Sequence, residues 1–123
     1  MQIRDLARLL GALSITDRLM IIGCLIAAED SGLSQLEICE ITGLSPRTCS
    51  VQLEAMIQAD ITFKKSEKNN LTFYANFVVL GELFNHMCEN YGYGLKKSAE
   101  KQNSELLNKP PFNQKKSKSF LPK

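Results

Sequence analysis

The sequence has little histidine and few of the motifs that mark catalytic and metal sites. It contains one histidine, His86, and none of its four cysteines forms a Cys-x-x-Cys pair. It also has no glycine-rich phosphate-binding loop and no evident Ser/His/Asp or Cys/His arrangement. We therefore expect a protein that is not an enzyme and that holds no metal ion or cofactor.

No apolar run is long enough to cross a bilayer, which takes about 20 residues. The apolar stretch over residues 19–28 is shorter than this, and it follows Asp17 and Arg18 with amphipathic sequence upstream. These features argue against both a membrane span and a signal peptide. We expect a cytoplasmic protein with no membrane association, and a disulfide framework is not expected in that compartment.

The net charge of +2 conceals an uneven distribution along the chain. Residues 1–94 carry seven basic and eleven acidic side chains, whereas residues 95–123 carry eight lysines and two acids. The second segment is rich in Lys, Ser, Asn and Gln, a composition that buries too little apolar surface to order itself. The sequence therefore predicts one folded domain over residues 1–94 and a flexible basic tail over residues 95–123.

Apolar periodicity predicts helices and one β-hairpin in the first 94 residues. The predicted helices span residues 2–13, 15–29, 35–42, 46–59 and 76–91, and the predicted strands span residues 61–65 and 71–74. Ser14, Ser34 and Ser45 are predicted N-caps, and Gly43 ends the third helix. The second helix is apolar nearly all round, which predicts a central place in the domain. The fold class is mainly α with a small β-hairpin, and the order α-α-α-α-β-β-α predicts a winged helix-turn-helix.

Residues 35–54 carry the most specific local signal. A helix-turn-helix needs a small residue where its helices cross, a turn residue four positions later and apolar contacts in the second helix. Cys39, Gly43 and the pair Cys49 and Leu53 meet these requirements. The second helix of such a motif lies in the major groove of double-stranded DNA. The sequence therefore predicts a DNA-binding protein.

The helix over residues 46–59 and the hairpin supply the predicted DNA contacts. Arg47 and Gln52 are the expected base readers, because they lie away from the predicted core face of their helix. The hairpin lysines are expected to contact phosphates, which give affinity without sequence information. The complete predicted interface comprises Ser45, Arg47, Thr48, Ser50, Val51, Gln52, Lys64, Lys65 and Lys68.

Residues 6–89 resemble the ArsR/SmtB family of winged-helix repressors. The resemblance is carried by residues 10–19, 35–41 and 44–53 and by the aromatic pair Phe73-Tyr74 of the second strand. It implies a transcriptional regulator, with repression more common than activation among similar proteins. It also implies a homodimer built on the helices over residues 2–13 and 76–91, with a recognition helix in the major groove and a wing on the DNA backbone.

The sensor sites of that family give two further expectations. Thiolate metal sensors carry two or more cysteines at the third helix, where this chain has Glu37 and Cys39. The chain is therefore more similar to metal-independent or redox-type members, and no metal site is expected. Redox-type members pair a cysteine of the second helix with one near the end of the last helix, places that Cys24 and Cys88 nearly occupy. These two cysteines are either a redox switch or, as free cysteines usually are, small apolar residues.

Two other functions fit the same sequence. The acidic charge of residues 1–94, together with Val51 and Gln52 where the family often has a basic residue and a histidine, favours an adaptor or antirepressor that binds protein instead of DNA. A further alternative places partner binding in the tail, through Leu106, Leu107 and Phe112. The tail lysines either add to DNA affinity by releasing counterions or keep the tail soluble.

Overall fold

The computed structural model describes residues 1–105, which form helices and one antiparallel hairpin. The helices are α1 (Ile3–Leu13), α2 (Thr16–Ala28), α3 (Gln35–Thr42), α4 (Pro46–Gln58), α5 (Phe77–Met87) and α6 (Tyr93–Glu105), and the strands are β1 (Thr62–Glu67) and β2 (Asn70–Ala75). The chain divides into two compact units, Met1–His86 and a second that begins at Met87. The predicted mainly helical fold with a small hairpin is confirmed. The tail residues Leu106, Leu107 and Phe112 lie outside the described residues.

The core of the first unit surrounds one face of α2. This helix contacts α1, α3, α4 and β2, and its residues Ile21 and Leu25 are fully buried. Around them lie other fully buried side chains, namely Ile38, Met56 and Ile61. The remaining surface of α2 exposes large apolar side chains, namely Leu19, Met20 and Ile26. The prediction that α2 is central holds for one face only.

Local hydrogen bonds fix where α3 and α4 begin and end. The N–H of Glu37 donates to Ser34 Oγ at 3.2 Å, and the N–H of Ser34 donates to the Glu37 carboxylate at 3.0 Å. This reciprocal pair is a capping box, and the hydrogen bond from the Ser34 backbone lowers the pKa of Glu37. Gly43 ends α3 in the left-handed region at φ 76°. Ser45 caps α4 by accepting the Thr48 N–H at 3.1 Å.

Ser14 caps a different helix end from the one predicted. Its hydroxyl donates to the Gly11 carbonyl at 2.7 Å, at the end of α1. Ile15 occupies the N-cap position of α2 and makes no side-chain capping bond. The connection between the two helices is so short that Ser14 is the C-cap residue of α1, which places its hydroxyl beside the last carbonyls of that helix.

The last predicted helix is interrupted near its end, whereas the predicted division into a domain over residues 1–94 and a tail over residues 95–123 stays a prediction. α5 ends at Met87, a π-helical turn follows over Cys88–Gly92, and α6 continues to Glu105. The predicted helix over residues 76–91 is therefore interrupted, and residues 95–105 are helical. Gly92 and Gly94 do not stop the helix, because a glycine inside a helix costs only about 1 kcal/mol relative to alanine.

Residues 1–105 contain no single helix that is long and apolar enough to span a membrane. α1 and the segment Thr16–Ser31 are together as long and as apolar as a membrane-spanning helix, but the chain bends by 96° between them.

A short bridge joins the loop before α3 to the hairpin. The N–H of Leu33 donates to the Phe73 carbonyl at 3.0 Å, and the N–H of Phe73 donates to the Leu33 carbonyl at 2.8 Å. Gly32 precedes this bridge at φ 63°, and a Cβ there would lie 2.6 Å from Tyr74 Cε1 and 2.7 Å from the Phe73 carbonyl oxygen. Both the left-handed backbone and the close approach to β2 therefore require glycine at this position.

We expect Gly32→Ala to lower the free energy of unfolding by about 3 kcal/mol, because the new methyl group meets backbone atoms and the left-handed conformation is strained. Urea unfolding measures the change. Gly23→Ala in α2 is the matched control, since nothing lies within 4 Å of its added Cβ and alanine favours a helix by up to about 1 kcal/mol. Equal unfolding midpoints for Gly32→Ala and the unaltered protein would contradict the close approach of Gly32 to β2.

Candidate nucleic-acid interface

α3 and α4 cross over a small apolar contact. Ile38 and Cys49 are fully buried, Leu53 is nearly so, and Cys39 is half-buried. Burial and, to a smaller extent, a hydrogen bond with Cys39 together raise the pKa of Cys49 to about 12. Cys49 is therefore a neutral thiol near neutral pH and serves as a small core residue. The predicted contacts of the helix-turn-helix are present at this crossing.

The outward face of α4 takes no part in the core. Arg47, Ser50, Val51 and Glu54 are exposed, and their spacing of three and four residues places them along one face of the helix. Three of these four belong to the predicted interface. Glu54 is not part of the predicted interface. Its position seven residues after Arg47 would have been enough to place it on the same face of the helix.

Three residues of the predicted interface are engaged in hydrogen bonds within the fold. Gln52 Oε1 accepts the Arg18 Nε–H at 2.8 Å in a partly buried contact. Arg18 also donates to the Ala12 carbonyl at 3.2 Å, so it links the end of α1 to α4. The Ser45 hydroxyl donates to Thr48 Oγ1 at 2.9 Å within the N-cap of α4. These bonds hold Gln52, Ser45 and Thr48 in place, whereas Arg47 and Val51 extend from the helix.

The hairpin that follows α4 turns over Lys68 and Asn69. Both residues have positive φ angles, 48° and 67°, as the two central residues of a type I′ turn do. The strands extend to Glu67 and Asn70, which pair with each other. The turn is therefore shorter than the predicted loop over residues 66–70, and it places Lys68 at the exposed tip.

The two lysines of β1 lie on opposite faces of the hairpin, because side chains alternate along a strand. Lys65 shares its face with Phe63 and Tyr74, whose rings stack with centroids 5.1 Å apart. Its Nζ lies 5.8 Å from the Phe63 centroid and 5.3 Å from the Tyr74 centroid. Cation–π contacts of this kind contribute about 0.5–1 kcal/mol at exposed sites. Lys64 and Lys65 therefore project from opposite faces of the hairpin.

The candidate redox pair is divided between the two units. Cys24, on α2, is half-buried, its Sγ donates to the Ile21 carbonyl at 3.0 Å, and burial raises its pKa. Cys88 is exposed in the π-helical turn of the second unit. A switch made from these two thiols stays a prediction. Within residues 1–105, no three His, Cys, Asp or Glu side chains are grouped so that they could hold a metal ion.

The helix-turn-helix segment matches a known family model. Residues 18–61 match the model described as winged helix-turn-helix DNA-binding. The matched residues include most of α2, all of α3 and α4, and the approach to β1. The domain is a winged helix-turn-helix. In this fold α4 is the recognition helix and the hairpin is the wing.

A solved structure shares the winged helix-turn-helix fold. It is the crystal structure of the transcriptional repressor BigR from Xylella fastidiosa, with a TM-score of 0.57 and 23% sequence identity. The alignment covers 72% of this chain and 87% of that chain. At this identity the likeness shows a common fold. No curated protein matches the chain.

Proposed function

We propose that this winged helix-turn-helix protein is a transcriptional regulator of the ArsR/SmtB type, a homodimer that places α4 in the major groove of double-stranded DNA. The observation that carries the proposal is the outward face of α4, on which Arg47 and Val51 are exposed and play no part in the core. A helix fits the major groove and reads base edges with its first residues. The likeness to a repressor favours repression. A non-enzymatic role in the cytoplasm belongs to the same proposal.

A small number of cations is available for DNA phosphates. Arg47 on α4 and Lys64 and Lys68 on the wing are exposed. Arg8 and Arg18, by contrast, donate hydrogen bonds within the fold. With Arg47, Lys64 and Lys68 of both protomers in contact with phosphates, the logarithm of affinity would fall with the logarithm of salt concentration at a slope of about −5.

Two neighbouring helices expose apolar side chains that support the homodimer. α1 exposes Ile3 and Leu10, and α5 exposes Phe77, Val78 and Phe84. Residues of both helices line a common cleft of about 160 Å³, so the helices are adjacent. Large exposed apolar side chains on adjacent elements mark an interaction surface. We assign this surface to a second copy of the chain, as the resemblance implies.

Gel retardation with a labelled pool of random duplexes tests the proposed function. Duplexes of about 30 base pairs accommodate two half-sites separated by one helical turn. We expect retention at low salt, progressive loss as salt increases, and a two-fold symmetric sequence among the recovered duplexes. Single-stranded DNA of the same length is the control, because it has no major groove. An absence of retention at low salt would contradict DNA binding and favour the protein-binding adaptor or antirepressor.

A further inference from the structure

An apolar side chain stands among polar ones on the outward face of α4. Val51 is 59% exposed, one helical turn after Arg47 and between Ser50 and Glu54 on the same face. A single exposed valine is common on protein surfaces. This one, however, lies on the face that the proposed function places in the major groove. Among the bases of that groove only thymine presents a methyl group.

Gln52 is poorly placed for the base-reading role predicted for it. A glutamine recognises adenine by using its amide oxygen and its amide nitrogen together. The oxygen of Gln52 already accepts the Arg18 Nε–H at 2.8 Å, and Arg18 is itself bonded to the Ala12 carbonyl. Reading a base with Gln52 would turn its amide away from Arg18 or divide its oxygen between two donors, and would so weaken this link between α2 and α4. The link instead fixes the rotation of α4, so Gln52 is a positioning residue.

We propose, on the basis of the DNA-binding function above, that Val51 reads the methyl group of a thymine and that Arg47 reads a nearby guanine. Contact between the valine and thymine methyl groups removes apolar surface from water and requires no hydrogen-bond partner. Cytosine offers no methyl group at the same place and is therefore disfavoured. The guanidinium of Arg47 matches the two acceptors of guanine, O6 and N7.

The geometry of α4 also sets the distance between the two bases. Residues four apart on a helix are separated by about 6 Å along its axis, whereas base pairs of B-DNA are about 3.4 Å apart. When α4 follows the groove, Arg47 and Val51 reach positions about two base pairs apart. The preferred half-site therefore contains a guanine and a thymine at about that separation.

Replacing thymine with deoxyuridine tests the contact at a single methyl group. The full-length protein is first used to select its preferred duplex from a random pool, and each thymine of that duplex is then replaced in turn. Deoxyuridine pairs as thymine does but lacks the methyl group. We expect one position in each half-site where the replacement weakens binding by about fourfold, the effect of losing one buried methyl group. Replacement at the other thymines should leave the affinity unchanged.

Two variants show whether the methyl effect belongs to Val51. Val51→Ser, which removes both methyl groups of the valine, should bind the thymine and deoxyuridine duplexes equally well at the critical position. Ile26→Ala is the matched control, because Ile26 is an exposed apolar residue of α2 and lies outside the recognition helix. This control should retain the fourfold difference. Loss of the difference in both variants would overturn the assignment to Val51.

Gln52→Leu tests the positioning role. It should weaken binding to the preferred duplex more than binding to random duplexes, because the proposed base readers Arg47 and Val51 lie on α4, and it should leave the selected bases unchanged. A changed base preference at one position would overturn the positioning role and make Gln52 a base reader.

The outcomes separate this inference from the proposed function. If every deoxyuridine duplex binds the unaltered protein as well as its thymine counterpart, while binding stays salt-dependent and sequence-selective, thymine recognition by Val51 is wrong and the DNA-binding function stands. If DNA binds but selection yields no preferred sequence, thymine recognition by Val51 is likewise wrong and the DNA-binding function stands. If no duplex binds at low salt, the proposed function itself fails.

Discussion

The Arg47→Ala variant is expected to bind the preferred duplex at least about thirty times more weakly than the unaltered protein, which corresponds to the loss of one bidentate contact with guanine in each of the two half-sites, at about 1–3 kcal/mol per contact. Arg47 is the second residue of α4 and is exposed, and in the proposed complex the first residues of α4 are the ones that contact base edges. Its guanidinium presents donors in a fixed planar fork that matches the guanine edge. Alanine removes the donors together with the charge.

Titration of the preferred duplex and a scrambled duplex at several salt concentrations separates base reading from a phosphate contact. If Arg47 reads guanine, the alanine variant loses far more affinity for the preferred duplex than for the scrambled one. Arg47→Lys, which keeps the charge but not the planar fork, should recover only part of the loss. Equal losses on both duplexes, with a salt slope smaller by about 2 because each protomer loses one contact, would identify a phosphate contact instead.

The stability of the protein should be little changed by Arg47→Ala. Surface substitutions away from caps and buried networks usually change the free energy of unfolding by no more than about 0.5 kcal/mol. Arg47 is exposed and lies outside the Ser45–Thr48 capping bonds. Thermal unfolding of the variant therefore serves as the control that its DNA-binding loss is not a loss of folded protein.

The helix-turn-helix could be predicted from the sequence because its boundaries depend on neighbouring residues. Ser34 and Ser45 cap the helices through partners three residues away, and Gly43 provides the left-handed residue that ends α3. The predicted helix over residues 35–42 is accordingly found as Gln35–Thr42, and that over residues 46–59 as Pro46–Gln58. The exposed positions of Arg47 and Val51 follow from the same helical periodicity.

The parts that the sequence did not reveal depend on contacts between distant segments. The Arg18–Gln52 hydrogen bond joins residues 34 apart and exists only because α2 packs against α4. No local pattern distinguishes a glutamine held in this way from one that projects into solvent. The exposed side of α2 was missed for the same reason, since an all-round apolar helix does not indicate which face its neighbours cover. The backbone bridge between Leu33 and Phe73 could not be predicted either, because it forms only when the hairpin packs against the loop before α3.

The second large effect is expected for Phe84→Asp in α5, which should convert the proposed dimer into a monomer. Phe84 is 58% exposed and lies seven residues after Phe77 and three after Gly81, so the three share one helix face. Nothing lies within 4 Å of a Cβ built on Gly81, which leaves room for another helix to approach closely. In a dimer packed on this face, an aspartate would be a buried charge without a partner, and such a charge is strongly unfavourable.

Light scattering after size-exclusion chromatography measures the mass, and gel retardation measures the consequence for DNA. The monomer should bind DNA at least about a hundredfold more weakly, because two half-sites are no longer held by one particle. Asn85→Asp is the matched control, since it adds the same charge to an exposed position rotated by about 100° around α5. A Phe84→Asp protein that remains dimeric would exclude this face of α5 from the interface. A monomeric variant with undiminished DNA affinity would instead show that each protomer binds DNA independently, because only then does affinity not depend on linking the two recognition helices.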